Sequence, residues 1–145
     1  MKNRHPVQTA ALLTGAVFAL VGVLGFVPGI TTQFGELAFA GHQSEAHLLG
    51  LFQISVLHNI VHLLFGVAGV LAARTVDAAR WFLIGGGAIY LALTVYGLVI
   101  GHDSPANFVP LNPADNVLHL VLGLGMLAVG LVLGKAANAR ATSHH

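Results

Sequence analysis

The sequence contains no cysteine, which excludes disulfides, thiolate metal sites and thiol catalysis. Charge is nearly absent as well. Lys, Arg, Asp and Glu together make up 8% of the chain, whereas a soluble domain carries about 25%. So few charges cannot cover a globule, and the solvent for this chain is lipid. Net charge is only +1 and no basic cluster is present, which argues against a nucleic-acid partner. No nucleophile elbow, phosphate-binding glycine loop or HExxH run occurs, so nothing points to an enzyme. The size suits a single unit, not two domains.

What the chain has instead is apolar length. A helix needs about 20 apolar residues to cross roughly 30 Å of hydrocarbon. Four stretches qualify: Thr9 to Val27, ending at Pro28-Gly29; Ser55 to Ala73, ending at Arg74; Trp81 to Gly101; and Asn112 to Gly134, ending at Lys135. Open backbone is not tolerated in lipid, so these are read as helices. The expected fold is an all-α membrane protein, a four-helix transmembrane bundle followed by a polar tail over 135–145. Ala38-Phe39-Ala40 resembles a signal-peptide cleavage site. It lies well beyond the apolar run, and the first span is read as retained.

The basic residues set an orientation. Lys2 and Arg4 precede the first span, Arg74 and Arg80 separate the second from the third, and Lys135 and Arg140 follow the fourth. In a four-span arrangement all of them fall on one side, which the positive-inside rule makes cytoplasmic, together with both chain ends. Asp77 joins the short charged turn on that side. Glu36, Glu45, Asp103 and Asp115 fall on the other.

The chain also repeats itself. Gly15-Ala16-Val17-Phe18 matches Gly87-Ala88-Ile89-Tyr90, and in that register Gly25 meets Gly97. Asn59-Ile60-Val61-His62 matches Asn116-Val117-Leu118-His119, and Gly66 meets Gly123. Each half is therefore a helical hairpin, and two hairpins of like orientation imply a pseudo-twofold axis along the membrane normal. Ser55 aligns with Asn112, both good N-caps, and Pro113 then takes the first helical position. Residues 48–52 are too short to span and are expected along the outer interface or over the bundle mouth. The many glycines fit close helix packing.

Histidine, with nine residues, is the one chemical lead. His58 and His62 share a helix face at i, i+4, and Asp115 and His119 repeat that spacing. If the two helices face each other across the axis, His58, His62, Asp115 and His119 form a ligand set for zinc, iron or copper, with Asn59 and Asn116 as supporting partners. A second version uses the deeper pair alone, His62 and His119 ligating a b-type haem axially, with Gly66 and Gly123 making room for the porphyrin edge. A plainer reading stands beside both. Imidazole and amide groups in membrane helices hydrogen-bond across to neighbouring helices, and Asp115 suits a helix N-terminus. His42, His47 and His102 either cover the site or are solvated loop residues, and His5, His144 and His145 carry no assigned role.

The residues Leu51-Phe52, His58-Asn59, Val61-His62 and Gly66, with the matching run Asn112 to His119, resemble an actinobacterial family of four-pass membrane proteins known as domain of unknown function 4383. The resemblance covers about Gln8 to Gly134 and implies a four-helix fold in a bacterial plasma membrane. It implies no activity, and Ser55 stands where that family leads us to expect Asn. Two functions therefore remain open: a metal- or haem-binding protein, or an accessory subunit that packs against copies of itself or a larger membrane complex. A transporter is disfavoured because no acid is expected at mid-membrane.

Overall fold

The computed structural model describes residues 4–142, with side chains to residue 136. Lys2, His144 and His145 lie outside the described residues, as does the side chain of Arg140. Among the described residues the chain forms four α-helices: α1 (Pro6–Leu24), α2 (Val56–Ala72), α3 (Val76–Val99) and α4 (Pro113–Thr142). α1, α3 and the Pro113–Ala136 part of α4 are long and apolar enough to cross a membrane; α2 is apolar but shorter. At 1.5 Å per residue, its 17 residues reach about 26 Å, just under the hydrocarbon thickness. The protein is a helical membrane bundle.

The helix ends differ from the expected spans for local reasons. α1 starts one turn early because Pro6 suits a first turn, where its missing N–H costs nothing, and the Gln8 side chain accepts from the His5 N–H at 3.0 Å. α3 starts at Val76, ahead of Trp81, because Thr75 caps it, accepting from the Ala78 N–H at 3.2 Å. The expected charged turn thus shrinks to Ala73–Thr75, and Asp77 and Arg80 lie on the helix. α4 does not stop at Lys135. The alanine-rich stretch after it favours helix, so most of the expected polar tail continues α4 to Thr142.

The long loop after α1 is built, not open. Three two-residue strands, β1 (Thr31–Thr32), β2 (His47–Leu48) and β3 (Phe52–Gln53), form an antiparallel sheet in the order β1-β2-β3, with Thr31 opposite Leu48 and Leu48 opposite Phe52. Leu49 (φ +54°) and Gly50 (φ +71°) make the tight reversal between β2 and β3. Ala46, Leu48 and Ile54 are buried beneath it against Val21 and Leu24 of α1. Residues 48–52, expected along the outer interface or over the bundle mouth, belong to a β-hairpin over one end of the bundle. Gly41 N–H donates to Phe108 O at 2.7 Å and ties this cap to the second loop.

α1 packs chiefly on α2, and α3 chiefly on α4. These are the two hairpins read from the repeat, and their contacts correspond residue by residue. A Cβ at Gly15 would meet Gly66 O and Val70 N, both at 2.7 Å, and one at Gly87 would meet Gly123 O at 2.8 Å and Leu127 N at 2.7 Å. Gly66 lies against Ala19 and Gly123 against the side chain and backbone N of Leu91. Gly25 receives the Asn59 side chain and Gly97 that of Asn116. These three close approaches in one hairpin thus have their repeat-equivalents in the other.

Between the hairpins the packing is sparser. α1 meets α3, while α2 and α4 are not broadly packed on each other among the described residues. Facing of α2 and α4 across the axis is therefore corrected: the diagonal is closed by α1 and α3. Phe18 and Tyr90, repeat-equivalent and both buried, stack with ring centroids 5.4 Å apart.

Candidate functional site

The site begins at two helix N-termini at the loop-rich end. Ser55 Oγ accepts from the His58 N–H at 3.1 Å, and Asn112 Oδ1 accepts from the Asp115 N–H at 2.9 Å. The N-caps thus hold His58 and Asp115 in equivalent first-turn positions. The two residues then diverge. Asp115 Oδ2 accepts from the Asn112 N–H at 3.0 Å, closing a capping box, and from the Gln53 N–H of β3 at 3.2 Å. It is buried and its oxygen is directed to backbone, fastening the cap to α4. His58 has no such task, and its ring stacks on that of His62 at 4.1 Å between centroids.

One turn deeper lie His62 and His119. His62 Nδ1 is 3.0 Å from His58 O. A carbonyl can only accept, so Nδ1 carries the proton, and Nε2 of the neutral ring is left as an acceptor. His119 is 3% exposed, and its Nδ1 is buried without a hydrogen-bond partner. Such a group is rare in a well-satisfied fold and asks for an explanation. Aromatic rings connect the two: His62 lies 5.3 Å from Phe18 and His119 lies 5.1 Å from Tyr90. With the Phe18–Tyr90 stack, four rings run from α2 through α1 and α3 to α4.

His58, His62 and His119 line one cavity of about 280 Å³ between α2 and α3. Its other walls are mainly apolar, and Val61 and Ile89 at its edge are half-exposed on the outer helix surfaces. In a bilayer those surfaces face lipid. The repeat-equivalent groove between α1 and α4, about 410 Å³, is also apolar and also reaches His62.

The structure therefore brings together three of the four residues read as metal ligands. Asp115 is not among them, because its carboxylate serves the cap. Among the described residues no group of three or more His, Asp or Glu side chains is disposed to hold a metal ion. Asn59 and Asn116 do not support His62 or His119 either. Each packs onto a glycine of its own hairpin, and Asn59 Oδ1 comes only within 3.5 Å of His58 Nδ1. Gly66 and Gly123 are filled by α1 and α3 and leave no space for a porphyrin edge.

His42, His47 and His102 lie elsewhere, around a polar recess of the cap that also contains Glu45, Gln53 and Asp103. His102 is held by Gln53 Oε1 at 3.0 Å and Asp103 Oδ1 at 3.2 Å, and His47 Nδ1 donates to Glu45 O at 2.8 Å. Gln53 itself went unnoticed in the sequence, where nothing marks a strand residue as the link between cap and α4. Phe18 and Tyr90 are visible in the sequence as a matched pair in the repeat, but nothing there marks them as the link between His62 and His119.

The family described as "Domain of unknown function (DUF4383)" matches residues 8–132. No curated protein and no solved structure matches the chain.

Proposed function

The chain belongs to the DUF4383 family, whose function is unknown, and we propose that it binds a small lipid-soluble ligand between its two hairpins, at the extracytoplasmic end of the membrane. The observation that carries this reading is the pair His62 and His119. They occupy repeat-equivalent positions, are buried, line one cavity, and retain ring nitrogens that no protein group uses. Ionisable groups at membrane depth are costly and by default functional. The placement at the outer end rests on the segregation of Lys and Arg to the opposite end.

A b-type haem or a transition metal would draw on the same two rings. The cavity is at the small end for ligand sites, and a macrocycle there would have to displace the stacked Phe18 and Tyr90. The small organic ligand is therefore preferred. Gently extracted protein should show neither a Soret band nor stoichiometric metal, and its lipid extract should contain a compound that is lost from His62→Leu and His119→Leu protein. A Soret band lost in the same variants would transfer the site to haem.

The second reading is an accessory subunit without chemistry of its own. Asn59 on Gly25 and Asn116 on Gly97 favour it, since those amides act as packing groups inside each hairpin. Copurification of a stable membrane partner whose assembly survives both histidine substitutions would support it.

A further inference from the structure

At the end of the bundle opposite the cap, we infer that Arg80 holds the phosphate of an anionic phospholipid, a site separate from the His62–His119 cavity. Arg80 carries a charge that no acid of the chain neutralises. All five Asp and Glu residues are among the described residues, and the ion pair found there is His102–Asp103. Asp77, one turn earlier on α3, forms none with Arg80. The repeat explains the spare donors. In the register that matches Gly15 with Gly87, Arg80 corresponds to Gln8. Gln8 Nε2 donates to Ala73 O at 3.0 Å, a carbonyl at the end of α2. α4 does not end at the matching point but runs on to Thr142. Its carbonyls there are engaged within the helix, and Arg80 has no such acceptor.

The side chain is nevertheless held in place. A Cβ at Gly134 would meet Arg80 Cγ at 2.7 Å and Nε at 2.8 Å. The bare glycine therefore seats the stem, and Nε is enclosed against it without a partner. The guanidinium carbon lies 5.4 Å from the centre of the Trp81 ring, a cation–π contact. Nη1 and Nη2 are not enclosed as Nε is and remain the outward donors. Two donors in a planar fork match two phosphate oxygens, and Lys135, exposed and next in chain to Gly134, adds a second cation. The source is a membrane lipid, because Trp81 is 62% exposed near the end of an apolar helix, where tryptophan marks the headgroup level. Arg74, Arg80 and Lys135 outnumber Asp77 at this end, which favours a lipid of net negative charge over a zwitterionic one.

Trp81 is the chain's single tryptophan and reports on the site directly. The full chain is placed in bilayers of phosphatidylcholine and phosphatidylglycerol, with one or the other lipid brominated near the headgroup, and fluorescence quenching gives the relative occupancy beside Trp81. Phosphatidylglycerol should be preferred about five-fold, the weight of one basic residue at an anionic surface. Arg80→Gln should remove most of that preference. Gly134→Ala should lower it too, because the added Cβ pushes the flexible stem off its seat while every charge stays. Arg74→Gln, at an exposed position of the same end, should change it little. Equal losses from Arg74→Gln and Arg80→Gln, or an unaltered preference in Gly134→Ala, mean diffuse charge attraction and overturn the inference. Inorganic phosphate at constant ionic strength should not displace the lipid; displacement at millimolar concentration makes the ligand a soluble phosphate and overturns the lipid assignment.

Discussion

Adding one methyl group at Gly15 tests the hairpin packing most sharply. An ideal Cβ there lies 2.7 Å from Gly66 O and Val70 N, and 2.9 Å from Gly69 C. All three are backbone atoms, so no side chain can swing aside. Restoring ordinary van der Waals distance requires α1 and α2 to separate by roughly 0.7 Å, and a gap of that size forfeits a quarter to a half of each affected contact. Gly15→Ala should therefore cost about 1–3 kcal/mol, the usual range for overpacking. Gly87→Ala should cost a similar amount, because its Cβ meets Leu127 N and Gly123 O at nearly the same distances. The two lie in separate hairpins, so the double variant should lose about the sum, to within roughly 0.5 kcal/mol. Gly125 is the control. Nothing lies within 4 Å of its Cβ, and alanine is the better helix former, so Gly125→Ala should be neutral or stabilising by up to about 1 kcal/mol. Equilibrium unfolding in mixed micelles measures all four. Equal behaviour of Gly15→Ala and Gly125→Ala, or an effect in one hairpin only, refutes the reasoning.

Three further outcomes follow from the site. His119→Leu should leave stability unchanged or raise it by about 1 kcal/mol, because it removes an unpartnered buried nitrogen, while abolishing ligand retention; unfolding and lipid extraction on one preparation check both. His62→Leu should lower stability by about 1 kcal/mol through loss of the bond to His58 O, so the two histidines should separate in the same unfolding assay. Asp115→Ala should cost about 1–2 kcal/mol as a lost cap and leave metal content unaltered, which elemental analysis reads directly; metal lost with Asp115 would restore it as a ligand.

The bundle was legible because lipid imposes simple rules. Four apolar stretches, the glycine pairs and the Asn-x-x-His repeat all appear in the helices and in matched contacts between them. The same repeat concealed a difference. Ser55 and Asn112 are equivalent caps, but Asp115 returns to the cap backbone whereas His58 turns toward His62. Spacing alone cannot tell these apart, because the choice depends on β3, which delivers the Gln53 N–H to Asp115 and not to His58. That sheet was illegible: its strands are two residues long, too short for any alternation. The diagonal contact of α1 and α3 was missed for a related reason. Periodicity assigns a buried face to each helix but does not rank which pairs of helices meet across an axis.

The central claim is that His62 and His119 share one cavity although their helices do not pack broadly together. The chain has no cysteine, so His62→Cys with His119→Cys gives a clean pair for a short bifunctional thiol reagent in membranes. Efficient cross-linking within one chain is expected. The control pair, Leu64→Cys with Leu124→Cys on half-exposed or more exposed lipid-facing positions, should remain unlinked. A cysteine pair at 62 and 119 that reacts no better than the control would contradict the shared cavity.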